Sequence, residues 1–466
     1  MEVKITSSVA AYTLFPLAFL SSPVFAAEPA AVKGVESRES ATTITQGATV
    51  KGTASVDSFS DWLYQGTVYG ELKSMMFFKE FGGTVENKKT FSAGGDLQYR
   101  SADFNGFSIG VGAYSAFDLG FNSNDPDKTE RYVPGDSVNV IGKAFLRYHD
   151  HGLDVSAGRI GLDTPFANSG VGRTMIPALY EGFGGTYALN NDESLKLNAY
   201  QIYRFKPYGS DSFGKGDTGA PEIDETNIPS MDTNGFTTVG LRYGRLYQSK
   251  AEAWYYNFDK RVQLAYGGLE LPVPALKFGE FTPFWGVQYA REWDANDQVN
   301  PYDNIDTNLY AGKLGIRSRR HSFYVSGTHV PLKNGAFLNG AFFAPYSYSI
   351  YDSTPLDVGQ PLVSMITSNQ PGNAWAGRYA YHNGQALAVL GYTHFDLYDS
   401  PGINYPLPAK KMDAGFMILG YNITERLYLE LELDYVSSPT KATRDYHAER
   451  LRVVYRFGKV VPENEY

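Results

Sequence analysis

The stretch LYLELELDY, residues 427–435, alternates apolar and polar side chains without interruption. Successive side chains of a β-strand point to opposite faces, so four leucines and a tyrosine would share one face of this segment. The segment 446–457 repeats the pattern with arginines on the polar face. The charged residues of the two polar faces are Glu430, Glu432 and Asp434, and Arg450, Arg452 and Arg456. The pattern predicts two neighbouring antiparallel strands, each with one apolar and one charged face.

The same alternation continues over most of the chain, with few segments of helical periodicity. It predicts eighteen strands, at residues 64–78, 91–100, 106–118, 137–149, 152–160, 180–190, 194–206, 235–246, 249–259, 262–271, 281–292, 308–319, 321–330, 374–382, 385–396, 411–422, 426–437 and 446–457. A half-buried sheet of a soluble protein alternates in the same way. The alternation by itself therefore leaves the class of protein open.

The lengths of the connections between the strands distinguish a soluble sheet from a membrane barrel. Tight turns such as 150–151 and 383–384 alternate with long connections such as 161–179 and 331–373. Short periplasmic turns and long external loops are the rule in outer-membrane barrels. We therefore predict an all-β protein, a transmembrane antiparallel β-barrel of about eighteen strands. In it, 161–179 is the third external loop and 331–373 the seventh.

The N-terminal residues have the pattern of a secretory signal. Lys4 precedes an apolar run over 9–20, and small residues follow as far as Ala26, which predicts a signal peptide at 1–26. An uncleaved membrane anchor is the alternative, but the run is short and Pro16 interrupts it. The remaining predicted segments are a periplasmic N-terminal segment at 27–58, the transmembrane barrel at 59–457 and a C-terminal periplasmic extension at 458–466.

The composition agrees with an exported barrel. The 466 residues include no cysteine, so no disulfide framework stabilises the chain, whereas barrel closure would pair the backbone groups. The formal net charge of −9 argues against a nucleic-acid partner. The 35 tyrosines suit girdles where lipid meets water; a lumen-facing slide for sugars is the alternative. The predicted girdle residues are Trp62, Tyr64, Tyr99, Tyr243, Trp285, Tyr289, Trp375, Tyr392, Tyr421 and Phe457.

One stretch of the chain resembles the OprD family of substrate-specific outer-membrane porins. The family pattern is a glycine-led strand, a proline-bearing loop, an arginine followed by apolar residues and a proline, and a downstream glycine. The matching residues are Ala157-Gly158-Arg159, Asp163, Pro165, Gly172-Arg173-Thr174-Met175-Ile176-Pro177 and Glu181-Gly182. The resemblance implies that the third and seventh external loops narrow the pore, and that wall arginines and lysines guide carboxylate-bearing solutes. It places Asp163 and Arg173 at the pore constriction.

Charged side chains on the inward parity of the strands are the candidate pore-wall residues, because charges beside a water-filled pore set which ions enter. They are Lys143, Arg147, Arg159, Arg242, Lys313, Arg317, Glu430, Glu432, Asp434, Arg450, Arg452 and Arg456, and Asn139 shares this parity. The alternative is that these charges pair across neighbouring strands. We favour pairing for the acids at 430–434 and the arginines at 450–456. Arg147, Arg173 and Arg317 have no evident acidic neighbour in the pattern, which favours a pore role for them.

Two other kinds of site are weaker. Gly106-Phe107-Ser108-Ile109-Gly110 matches the nucleophile motif of a hydrolase, but that motif needs a turn from strand to helix, and here the alternation runs straight through it. Acidic segments at 294–306 and 217–225 could hold Ca²⁺, but neither has EF-hand spacing, and solvated loops are the simpler interpretation.

The sequence as a whole predicts a porin in the outer membrane of a Gram-negative bacterium, which is a passive channel for small charged solutes such as carboxylates or amino acids. We expect no reaction, no metal and no cofactor. The expected partners are outer-membrane lipid, lipopolysaccharide and the solute, and the sequence allows a homotrimer as well as a monomer. A barrel-type hydrolase and a structural or adhesion barrel are the alternative functions.

Overall fold

The protein is a closed antiparallel β-barrel in the computed structural model. The structure describes residues 55–125, 128–130, 133–169, 174–216, 232–244, 250–295, 304–346, 370–401, 409–437 and 445–458. Eighteen strands form one sheet, and two additional short strands form a separate hairpin. The predicted signal peptide and the extension after Gly458 lie outside the described residues.

The strands are β1 (Thr67–Phe81), β2 (Lys88–Arg100), β3 (Phe107–Phe117), β4 (Val138–Asp150), β5 (Leu153–Ile160), β6 (Asp163–Thr164), β7 (Ala167–Asn168), β8 (Leu179–Ala188), β9 (Leu195–Lys206), β10 (Phe236–Tyr243), β11 (Lys250–Phe258), β12 (Val262–Pro272), β13 (Thr282–Trp293), β14 (Asp306–Arg317), β15 (His321–Val330), β16 (Gly372–His382), β17 (Ala386–Leu397), β18 (Lys410–Asn422), β19 (Leu427–Val436) and β20 (Tyr446–Gly458). All except β6 and β7 belong to the barrel. The predicted fold class and strand number are therefore confirmed.

The first and last strands close the barrel. β1 pairs with β20 in antiparallel register, from Tyr69 opposite Gly458 to Phe81 opposite Tyr446. Closure leaves no free sheet edge, so the backbone groups of the end strands are paired within the sheet. Phe457 lies on the outward parity of β20, as the sequence predicts.

The two faces of the sheet differ as a membrane barrel requires. Large apolar side chains are exposed on the outward face, for example Leu72 (58%) and Leu314 (65%). The inward residues of the same strands include charged groups such as Glu71 and Lys313. Apolar outward and polar inward alternation is the pattern of a barrel whose solvent is lipid on one side only.

A short helix, α1 (Phe59–Tyr64), precedes β1 and corrects the predicted start of that strand. The Ser58 side chain accepts a hydrogen bond from the Asp61 backbone N–H and so caps the helix. The Trp62 indole N–H donates to the carbonyl of Phe107, 2.9 Å away. The predicted girdle residues Trp62 and Tyr64 therefore lie on this helix and not on a strand. No helix of the described residues is long and apolar enough to span a membrane.

A β-bulge in β4 corrects the predicted inward parity of that strand. Gly112 of β3 lies opposite Lys143, but the next residue, Ala113, lies opposite Ile141, so Gly142 is an extra residue. A bulge reverses the faces on its two sides. Lys143 therefore points inward as predicted, whereas Asn139 lies on the outward face.

Long connections leave one end of the barrel and short ones leave the other. The two that matter most are L3 (161–178), which contains the hairpin β6–β7, and L7 (331–371). Some connections depart from this rule: L5 (259–261), between β11 and β12, and the connection 82–87 are short at the end that carries the long loops, and the connection 273–281 is longer than the other turns at the opposite end. By the rule that long loops are external, L3 and L7 stand at the extracellular end.

Candidate pore-lining site

Eight charged residues form two neighbouring groups of ion pairs on the closing strands; we call the two groups together the seam network. It consists of Glu71, Lys73, Asp96, Glu430, Glu432, Arg450, Arg452 and Arg456. Arg456 Nε lies 3.2 Å from Glu71 Oε1, which joins the last strand to the first. Lys73 Nζ is 3.0 Å from the other oxygen of Glu71. The network therefore spans the point at which the barrel closes.

Two acids of β19 pair with two arginines of β20, as the sequence predicts, whereas the predicted β19 partner of Arg456 is wrong, because Arg456 pairs with Glu71 of β1. Arg452 NH2 lies 2.9 Å from Glu430 Oε2 and Arg450 NH2 lies 3.3 Å from Glu430 Oε1, while Arg450 also pairs with Glu432. All four side chains are at most 3% exposed. Asp434 is inward and buried on the same strand. Buried charges are tolerated because each has a partner, so this part of the wall is neutralised.

The seam network continues along the wall to Lys143. Its Nζ lies 3.3 Å from Gln98 Oε1, and the Gln98 amide donates to Asp96 at 2.7 Å. Glu71 and Lys73 were not among the predicted wall residues. Their signal was present in the sequence, because the two charges lie at alternate positions on either side of Leu72.

A second cluster lies on β12 and β14 and is centred on Glu270. Its two carboxylate oxygens lie 2.6 Å from Lys313 Nζ and 2.7 Å from Arg317 NH1. Lys313 reaches Glu270 across the intervening strand β13, where Gly286 leaves the space: a Cβ there would lie 3.1 Å from Lys313 Cε. The prediction that Arg317 has no acidic neighbour is therefore wrong, because its partner is on the next strand but one.

The Glu270 cluster has more basic than acidic groups. Arg378, which was not predicted, is inward on β16, and its guanidinium stacks on the Tyr324 ring at 5.9 Å. The Lys313 ammonium lies 5.4 Å from the same ring. Cation–π contacts of this kind hold a cation in place without neutralising its charge. Among the described side chains of this cluster, three basic groups surround the one carboxylate of Glu270.

Arg147 also has an acidic partner that was not predicted. It points inward near the periplasmic end of β4, and its guanidinium forms two hydrogen bonds with Asp154 of β5. Asp154 follows the tight turn 151–152, so the two residues meet across a hairpin. The pair is partly exposed, at 19% and 34% of the side chains.

L3 is tied to the wall by the predicted residues Asp163 and Arg242. Arg242 NH1 lies 3.5 Å from Asp163 Oδ2, and Arg242 Nε lies 3.3 Å from Glu252 of β11. The Trp254 indole N–H donates to the same carboxylate at 3.2 Å. Because Arg242 is near the periplasmic end of β10, the contact brings the start of L3 into the barrel interior.

Aromatic side chains pack L3 and L7 against the inner wall. Phe166 of L3 is fully buried, with its ring 5.3 Å from that of Tyr266, 5.8 Å from that of Tyr256 and 5.6 Å from that of Phe342 of L7. Tyr346 of L7 is likewise buried among wall aromatics. These inward aromatics were not predicted. They are covered by the loops, so they anchor L3 and L7 and do not form an exposed sugar slide.

Two predicted site residues stand apart from the wall. Arg159 lies on the outward face: it is opposite Glu181 and follows the outward Ala157 in β5, so its assignment to the pore wall is wrong. In β5 Arg159 lies next to Ile160, which is buried on the inward face, so Arg159 itself falls on the outward face. Arg173 falls outside the described residues, so its place at the constriction stays a prediction.

The structure also bears on the hydrolase and metal alternatives. Ser108 is buried on the inward face of β3, which continues past the motif to Phe117 as a strand, so the turn from strand to helix that the motif needs is not formed there. In the described residues no three or more His, Cys, Asp or Glu side chains are grouped so as to hold a metal ion. The acidic segment at 217–225 lies outside the described residues.

Comparison with solved structures identifies the fold. OccAB3 of Acinetobacter baumannii aligns over 85% of this chain and 100% of its own, with a TM-score of 0.67 and 15% identity. OccAB2 of the same organism aligns over 86% of this chain and 99% of its own, with a TM-score of 0.66 and 16% identity. The chain has the fold of the OprD-family porins. OpdK of Pseudomonas aeruginosa with vanillate shares this porin fold, over 85% and 100% of the two chains, with a TM-score of 0.62 and 15% identity.

The porin fold bears out the resemblance seen in the sequence. No family model and no curated protein matches the chain in sequence.

Proposed function

We propose that the chain is an outer-membrane porin of a Gram-negative bacterium, a passive diffusion channel for small charged solutes. The observation that carries the proposal is the inner wall, where charged clusters line a closed barrel whose outer face is apolar. Its shared fold with OprD-family porins supports the same function. A barrel of this kind gives polar solutes a path through a bilayer.

The solute class that fits this wall is a small carboxylate or an amino acid. The seam network holds as many acids as bases, but the Glu270 cluster has an excess of cations near the periplasmic half of the lumen. An electropositive wall raises the local concentration of anions. One solved neighbour holds vanillate, an aromatic carboxylate. Transport would therefore be biased toward anions.

We place the pore constriction at L3 and L7. Both loops contribute side chains to the interior, and they touch each other through Phe166 and Phe342. The Asp163–Arg242 ion pair fixes L3 to the wall. Arg173 belongs to the same loop, and the family resemblance is its support as a constriction residue.

The test is planar-bilayer recording of the refolded protein under a salt gradient. The wild-type reversal potential is expected to show anion preference, and Lys313→Gln is expected to shift it toward cation preference because one wall charge is lost. Lys277→Gln is the matched control, since Lys277 is exposed in a periplasmic turn. Folded protein that gives no channels would refute the porin proposal, and a reversal potential unchanged by Lys313→Gln would refute the anion path along this wall.

A further inference from the structure

The outward face carries a charged cluster that the pore does not use; we call it the rim triad. It consists of Arg159 on β5, Glu181 on β8 and Arg204 on β9. Glu181 lies opposite Arg159 in one strand pair and opposite Arg204 in the next. Ile160, Tyr180 and Phe205, each next to one of the three along its strand, are buried on the inward face, so all three side chains of the triad point away from the lumen. The triad therefore faces whatever surrounds the barrel.

The carboxylate of Glu181 holds the two arginines side by side. Arg159 Nε lies 3.3 Å from one carboxylate oxygen, and Arg204 NH1 lies 3.6 Å from the other. Arg159 is further fixed by a hydrogen bond from NH1 to the carbonyl of Ile141, at 3.0 Å, and by the ring of Phe213, 4.6 Å from Cζ. The side chains of Arg159 and Arg204 are still 37% and 50% exposed. Two oriented guanidinium groups thus remain accessible.

The triad lies at the extracellular edge of the lipid-facing surface. β5 ends one residue after Arg159, and β9 ends two residues after Arg204, where the external loops begin. Exposed aromatic side chains, Phe183 and Tyr203, flank it on the same face. Arginine is costly on the lipid face at the bilayer midplane but is tolerated near the interface. This position therefore matches the headgroup layer.

We propose that Arg159 and Arg204 bind a phosphorylated lipid headgroup of the outer leaflet, namely a phosphate of lipid A in lipopolysaccharide. Two arginines against one glutamate leave the triad with a net positive charge. A guanidinium presents paired donors that match phosphate oxygens, and Glu181 orients both groups before the ligand arrives. The inference rests on the proposed outer-membrane location and adds a specific lipid site to it.

The test measures lipid binding to the full chain, refolded in detergent, by native mass spectrometry. The probes are diphosphoryl lipid A, the same lipid without its phosphates, and inorganic phosphate. We expect wild-type protein to retain diphosphoryl lipid A, and the double variant Arg159→Gln/Arg204→Gln to bind it at least about tenfold more weakly, as loss of a charge-assisted contact predicts. The dephosphorylated lipid should bind wild type as weakly as the intact lipid binds the variant.

Two further variants control for charge and folding. Lys89→Gln removes an exposed outward charge on β2 and should leave lipid A binding unchanged. Arg159→Lys/Arg204→Lys keeps the charges but loses the paired donors, so it should bind lipid A more tightly than the glutamine variant and more weakly than wild type, which keeps the test informative if the glutamine variant folds poorly. Equal binding by wild type and the glutamine variant would overturn the site. Binding of inorganic phosphate as strong as that of lipid A would overturn the lipid assignment.

Other outcomes separate this inference from the porin proposal. Both arginines lie outside the lumen, so the glutamine variant should conduct as wild type does. Normal channels with no loss of lipid A would refute the lipid site alone, while selective lipid binding by a protein that forms no channel would refute the porin alone. Loss of oligomers without loss of lipid A binding would instead assign the triad to an interface between copies of the chain.

Discussion

Replacement of Phe166 by alanine should release L3 from the inner wall. Phe166 is fully buried and touches Tyr256, Tyr266 and Phe342. Removing a buried phenylalanine costs about 3–5 kcal/mol in a packed interior. Since about 1.4 kcal/mol is a factor of ten, the seated position of L3 should become on the order of 10²–10⁴-fold less favoured. The barrel itself should persist, because the strand pairing does not depend on this ring.

Single-channel recording is the assay for this variant. Phe166→Ala is expected to raise the mean conductance and the open-channel current noise, because a loop that leaves its seat widens the path and fluctuates in it. Phe323→Ala is the matched control, since Phe323 is exposed on the outward face. If folded Phe166→Ala protein has the conductance and noise of wild type, then Phe166 does not hold L3 at the narrowest part of the path.

Three further changes test the wall. Arg450→Met should lower the temperature at which the folded barrel unfolds in SDS gels, because it leaves two buried carboxylates short of a partner, at a cost of about 3–5 kcal/mol. Gly391→Ala should lower the same temperature less, because its Cβ would lie 2.0 Å from the ring of Phe416. Overpacking of this kind reduces the free energy of unfolding by about 1–3 kcal/mol. Asp163→Asn should raise conductance only slightly, because its ion pair with Arg242 is partly exposed and such pairs contribute about 0–1 kcal/mol.

Matched variants set the baseline for these changes. Arg320→Met removes an exposed arginine, and Gly377→Ala adds a Cβ where no other atom lies within 4 Å. Both should unfold at the wild-type temperature. An unfolding temperature for Arg450→Met equal to that of Arg320→Met would contradict the stabilising role of the seam network. A conductance change for Asp163→Asn larger than that for Phe166→Ala would show that the ion pair holds L3 more firmly than the Phe166 ring does.

The strands were predictable from the sequence because each one has its own local pattern of alternation. Alternation with a period of two is independent of the rest of the chain, so all eighteen strands were predictable. The exceptions are places where the count of residues changes. The extra residue Gly142 turned Asn139 outward, and α1 took Trp62 and Tyr64 out of the first strand.

Ion-pair partners were less predictable because they depend on register between strands. Arg317 reaches Glu270 past an entire intervening strand, where its guanidinium lies 4.7 Å from the ring of Phe284. The inward aromatics of L3 and L7 depend on how loops fold back, which no periodic pattern describes. Arg159 shows the same limit: a motif places it near the third loop, but only the pairing of β5 with β8 shows that it points away from the lumen.

The contact between Arg456 and Glu71 joins residues 385 positions apart in the chain. Bringing such distant segments together from a disordered chain costs about 5 kcal/mol of loop entropy beyond a constant term. Hairpins between consecutive strands avoid most of that cost, because each new strand starts beside the previous one. The order of folding that follows is a growing ribbon of hairpins whose two edges meet last. Until the last strand pairs with the first, both edges can pair with other chains. Rapid docking of β20 onto β1 therefore protects the protein from aggregation as well as completing it.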